Sequence, residues 1–204
     1  MKSTIASNLM FRLLLRPAQV FEELAETRPD PHVVFFKYLL WLAVLPPVFA
    51  YIGAANFGWR LGAADPLYVP TDQLVLISLG YFFILLFGFV STAIVAQWMA
   101  NTYGARHSLG IHFALVVIIA APLVVGSLMH LFPHVFLNIL VLIPVLMWSM
   151  FLLYRGLPVV LKISPERGML MASSLIGYLL VAAVSLLGIT VALWQRGIGP
   201  SLGV

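Results

Sequence analysis

The sequence contains no cysteine. That excludes disulfides, thiolate nucleophiles and cysteine metal sites, and by itself names no compartment. Charge is also scarce: Asp, Glu, Lys and Arg make up 9% of the 204 residues, against about 25% in soluble domains. All seven acids lie in the N-terminal segment or in linkers, and none falls within an apolar run. Proton- and cation-coupled carriers usually hold an ionisable group inside the membrane, so this absence lowers that class. No nucleophile–base pair, phosphate-cradling glycine loop or paired carboxylates occur in a plausible site. An enzyme is therefore not expected, nor a cofactor. Of five histidines, His130 and His134 have the i, i+4 spacing that suits a metal on a continuous helix. Pro133 interrupts them and no third ligand is evident, so they read as interfacial structural residues and no metal is expected. The net charge of +4 is spread over linkers, which argues against nucleic acid as a partner.

What the chain has is apolar length: 62% of residues are hydrophobic and the mean hydropathy is +1.06. A soluble fold of this size could not hide so much apolar surface. Five runs each hold the about 20 residues that cross a bilayer core: Phe35–Ala55, Leu74–Met99, Leu109–Phe132, Val135–Tyr154 and Leu170–Trp194. The expected fold is an all-α membrane protein, a five-transmembrane-helix bundle preceded by short amphipathic N-terminal helices. Its expected divisions are a 1–34 cytoplasmic amphipathic segment, a 35–194 transmembrane domain and a 195–204 non-cytoplasmic tail. The short run Leu9–Leu15 is interrupted by Arg12 and no cleavage site follows, so no signal peptide is expected. In the N-terminal segment Asn8, Arg12 and Arg16 share one side of a helical wheel. In PAQVFEELAE, Val20, Phe21, Leu24 and Ala25 line one face and Gln19, Glu22, Glu23 and Glu26 the other. These helices lie either in the headgroup layer or on the bundle.

Trp148–Gly168 organises the topology. It joins the last two runs, carries Arg155, Lys162 and Arg167, and holds Gly156, Pro158 and Pro165, which are expected to break helix. Short basic linkers mark the cytoplasmic side. With five spans, Lys2, Arg12, Arg16, Arg28, Lys37, Arg106, Arg155, Lys162 and Arg167 fall on one side, and Arg60 and Arg196 on the other. Nine against two predicts a cytoplasmic N-terminus and a periplasmic C-terminus. Arg12, Arg16, Tyr154, Arg155, Lys162 and Arg167 are candidates for contact with lipid headgroups or a partner; interfacial anchoring is the plainer role of the Tyr154–Arg155 pair. Pro46 and Pro47 should kink or unwind the first span, by freeing the carbonyls of Leu42 and Ala43. Pro122 and Pro144 sit at mid-depth in later spans. With Asn138 these prolines could line a polar path, although bending a helix is their commoner effect. Asn138 and Gln97 are the amides placed for interhelical hydrogen bonds, and Gly80, Gly88, Ser173/Gly177 and Gly188/Ala192 allow close helix approach.

Four segments carry a resemblance: RPAQVFEEL, YIGAANFGW, MANTYGARHSL and FLLYRGLPVVLKISPERG, the last with a Tyr-x-Gly linker before the final span. In order and spacing the chain resembles the bacterial branch of the Yip-one family, the Ypt/Rab-interacting membrane proteins. The resemblance implies five membrane helices, a cytoplasmic N-terminus and an inner-membrane location. The longer N-terminal domain that links eukaryotic members to Rab GTPases has no counterpart in residues 1–34, so GTPase binding does not carry over. Two functions follow as expectations. One is a non-enzymatic membrane adaptor or organising protein, with membrane lipids and a second copy or other membrane proteins as partners. The other is a lipid-handling protein or transporter. A cavity lined by Asn138, Ser or Thr would favour the second, and a dry, tightly packed bundle the first.

Overall fold

The computed structural model describes residues 12–60, 62 and 65–196. Lys2, Asn8, Met10 and Phe11 of the N-terminal segment, and tail residues 197–204, lie outside these. After a turn of helix at 12–15 come α1 (Pro17–Ala25), α2 (Pro31–Phe57), α3 (Thr71–Thr102) and α4 (Leu109–Leu131, its last residues Ser127–Leu131 a 3-10 turn). They are followed by α5 (Val135–Leu161) and α6 (Pro165–Gln195). The fold is the expected all-α bundle: α2 to α6 are five helices long and apolar enough to cross a membrane, and no strand occurs among the described residues.

Proline starts three of these helices, where its missing N–H costs nothing: Pro17 in α1, Pro31 in α2 and Pro165 in α6. Asp30 caps α2 by accepting from the backbone N–H groups of His32 and Val33 at 2.8 and 3.2 Å, so α2 begins four residues before the expected Phe35. Pro46 and Pro47 do not unwind it. Leu40–Phe57 is helical throughout, with both prolines buried, and the departure from α geometry is a π turn at Phe35–Leu39.

The expected break at Gly156 and Pro158 is also absent. α5 runs through both to Leu161, and the basic linker shrinks to 162–164. Lys162 ends α5 in the left-handed region (φ 52°), and Ile163 donates its N–H to the Pro158 carbonyl at 3.1 Å. Gly156 is needed for packing. A Cβ there would lie 2.5 Å from the Phe21 ring. Leu13, Val20, Phe21 and Leu24 are buried in a core shared with α3, α4, α5 and the start of α6, so this part of the N-terminal segment docks on the bundle.

α4 is the central helix, buried over more of its length than any other span, with α2, α3 and α5 around it. α6 touches α3 and α5 through its first third, burying Gly168, Met171, Ala172 and Leu175, and no described residue after Leu175 is buried. The far end of the bundle is tied by backbone pairs. Trp59 and Leu67 exchange hydrogen bonds at 2.8 Å, and Arg60 bonds Pro133 and Val135 at 2.9 and 3.1 Å. This is called the loop end, and the other the α1 end.

Candidate intramembrane cavity

In the loop-end half a cavity of about 570 Å³ opens between α3 and α5, two helices that make almost no direct contact. Its floor is α2 (Pro46, Ala50) and the end of α4 (Leu123, Val124, Ser127). The α3 wall is Leu74, Ser78, Tyr81, Leu85 and Phe89, which fall on one side of the helix by the 3–4 residue spacing. On α5, Ile139 and Leu142 line it while remaining about half exposed, so the cavity has a lateral mouth in the apolar belt. No α6 residue lines it, and it carries no Asp, Glu, Lys or Arg.

One chain of polar groups crosses this lining. Asn138 Nδ2 donates to the carbonyls of Phe132 and His134 at 2.9 and 3.0 Å. Those two acceptors fix the amide orientation, so Asn138 Oδ1 accepts from His130 Nδ1 at 2.6 Å. An amide oxygen only accepts, hence a proton sits on Nδ1, and in the uncharged ring Nε2 is the acceptor. The Tyr81 hydroxyl stands 3.5 Å from that nitrogen, long for a strong bond. The 3-10 turn bearing His130 is held against α2 at Gly53, where a Cβ would lie 2.0 Å from the His130 carbonyl oxygen.

The path residues read from the sequence are divided by this arrangement. Pro46 and Asn138 line the cavity, and Pro47, Pro122 and Pro144 do not. Pro47 is buried, Pro122 half-buried and Pro144 exposed. Tyr81 and His130 were not among the site candidates. His130 was legible only as half of an i, i+4 pair, and nothing in the sequence shows that the α4 turn carries it onto α3. Asn138 does bond across helices, whereas Gln97 Nε2 holds the His107 carbonyl in the α3–α4 linker at 3.2 Å. Gly80, Gly88, Gly177 and Gly188 have nothing within 4 Å of a built Cβ, so they approach no helix of their own chain.

The basic candidates at the α1 end each have local surroundings. Arg12 pairs with Glu23, and Lys162 Nζ donates to Glu26 Oε1 at 2.8 Å. That hydrogen bond, and then the charge of Lys162, hold the Glu26 carboxyl below its usual range. The Arg155 guanidinium lies 6.0 Å from the centre of the Phe151 ring, and Arg167 reaches the Tyr103 carbonyl at 3.5 Å. The Tyr154 hydroxyl is 2.9 Å from Ser173 Oγ, joining α5 to α6. Arg16 has an exposed side chain.

The Yip1 domain family model matches residues 11–186. The chain is also 31% identical over 163 residues to "Inner membrane protein YohC" of Escherichia coli strain K12, covering 80% of this chain and 84% of that protein. It matches the protein of the same name from E. coli O6:H1 equally well. No solved structure matches it.

Proposed function

Because the chain belongs to the Yip1 domain family, we propose that it is a multi-pass inner-membrane protein that binds a membrane amphiphile from one leaflet, without catalysing a reaction on it. The inner-membrane location is supported by the name of its E. coli relatives. The observation that carries the binding reading is the cavity: apolar walls, a lateral mouth between α3 and α5, and the Tyr81–His130–Asn138 chain crossing it. Its about 570 Å³ falls within the about 300–1,000 Å³ of small-molecule sites, which are mostly apolar with a few placed polar groups. The cavity stops near mid-depth: on α3 its lining ends at Phe89, and on α5 at Leu142. That supports holding a lipid over passing one across the bilayer.

The test is native mass spectrometry of protein released from membranes in mild detergent. A retained lipid is expected on the wild type and not on Ser78→Trp, which fills the cavity from α3, with thermal unfolding confirming that the variant is folded. Equal lipid on both would sink the reading. In a companion leaflet-exchange assay, quenching of a fluorescent lipid should stop at the level of protein-free liposomes.

A second reading, an adaptor acting through lateral helix contacts, is favoured by α6. Its Gly177 and Gly188 face open space, the small-residue pattern that lets membrane helices approach. Single cysteines at these positions should then cross-link in native membranes to a defined protein or a second copy, and failure at both would remove it.

A further inference from the structure

The polar chain in the cavity also constrains what it binds. We infer that the ligand is an uncharged amphiphile with a free hydroxyl, seated beside Tyr81 and His130 with its hydrocarbon tail along α3 and α5. The inference rests on the lipid-binding reading and narrows it.

The argument is one of donors and acceptors. Asn138 Nδ2 is committed to two backbone carbonyls, and its Oδ1 to His130 Nδ1. Ser127 is committed as well, its hydroxyl donating to the Val124 carbonyl at 2.6 Å. Ser78 and Trp59 also bring polar groups to the lining, but the two that stand together, joined only by a long contact of 3.5 Å, are the His130 Nε2 lone pair and the Tyr81 O–H. An oxygen about 2.8–3.0 Å from each can bridge that separation through bent hydrogen bonds. A hydroxyl there donates to Nε2 and accepts from Tyr81, so both groups are satisfied at once. An ester or ketone carbonyl accepts from Tyr81 and leaves Nε2 facing a second acceptor. A phosphodiester does the same, and any phosphate, a monoester included, brings a charge into a lining that has none to offset it; burying an unpaired charge costs far more than burying a hydroxyl. The chemistry that fits is that of a diacylglycerol or a long-chain alcohol.

The experiment uses the full chain in lipid nanodiscs and three probes with identical photoreactive acyl chains: a 1,2-diacylglycerol, its 3-acetyl ester, which lacks the hydroxyl, and the corresponding phosphatidic acid. A photoreactive long-chain alcohol in parallel separates the two sources of the hydroxyl. After illumination, modified peptides are mapped. The expected result is labelling of the α3 and α5 cavity faces by the diacylglycerol, the alcohol or both, about tenfold above the acetyl ester and phosphatidic acid, as one or two hydrogen bonds allow. Tyr81→Phe, which removes a single oxygen, should cut that preference about three- to tenfold. Equal labelling by all probes in the wild type overturns the hydroxyl selection and leaves lipid binding standing. A preference that survives Tyr81→Phe overturns the assignment to this pair. Absence of cavity labelling by any probe overturns the inference together with the reading beneath it.

Discussion

At position 156 a methyl group would lie 2.5 Å from the Phe21 ring, so the seat of α1 on the bundle depends on glycine having no side chain there. Phe21 is fully buried in that seat, and removing such a ring costs about 3–5 kcal/mol in a well-packed core. The cysteine-free chain gives a clean readout through one introduced thiol. Leu13→Cys, buried in the same cluster, should react slowly with a maleimide in the parent and at least about tenfold faster in Phe21→Ala. The Lys162–Glu26 pair beside it is exposed on both sides, and exposed pairs contribute little, so Glu26→Gln should leave that rate within about twofold. The pH dependence follows from the sign of the shift. A carboxyl held below its usual range adds its stability wherever the unfolded group would be ionised, and loses it as pH falls through the lowered folded value. Hydrogen exchange across α1 should therefore be insensitive to protonation of Glu26 at neutral pH. Any loosening from this group should appear only below the ordinary carboxylate range.

Among the helices, α5 shows where sequence and structure part. Its apolar run, its Pro144 and its start at Val135 were all legible, because length and composition decide a membrane span. Its end was not. Gly156 and Pro158 are breakers in isolation, yet α5 continues through them. Gly156 admits Phe21, and Pro158 packs on Gly168 of α6, where a Cβ would lie 2.8 Å from the Pro158 ring. Both reasons lie in residues distant in sequence, so no local rule finds them. The cavity was illegible for the same kind of reason. Asn138 stood out as a polar residue in an apolar run, but its partner His130 lies in the preceding helical turn, and Tyr81 lies 49 positions from His130. The true stop is Lys162, a non-glycine residue in the left-handed region, which costs an L-residue about 1–2 kcal/mol. Lys162→Gly and Lys162→Ala both delete the pair with Glu26, and only glycine relieves the backbone. Lys162→Gly should thus be the more stable of the two by about 1 kcal/mol, read as a higher melting temperature in detergent. Equal melting would show that the turn carries no such cost.

For the whole molecule, the charge asymmetry predicts the side of the membrane on which the cavity lies. Arg12, Arg16, Arg28, Lys37, Arg106, Arg155, Lys162 and Arg167 lie at the α1 end, Arg60 and Arg196 at the loop end. Positively charged flanks favour the cytoplasm, so α1 is expected inside and the cavity in the periplasmic half of the bilayer. Single-cysteine variants test this directly. In intact cells a membrane-impermeant maleimide admitted through the outer membrane should label Asp65→Cys at the loop end. It should reach Glu22→Cys, exposed on α1, only after the inner membrane is opened. The reverse pattern would place the cavity in the cytoplasmic leaflet. That expected orientation also bears on how the proposed ligand would arrive. The mouth between α3 and α5 faces sideways into apolar surroundings, and α6 leaves it uncovered because its packing stops at Leu175. In the expected orientation the proposed lipid would enter by lateral diffusion within the periplasmic leaflet, without its headgroup crossing the bilayer. A photoreactive diacylglycerol supplied to that leaflet of sealed vesicles should reach the cavity faster than one confined to the other leaflet. The lag should match the probe's own rate of crossing, measured in vesicles without the protein.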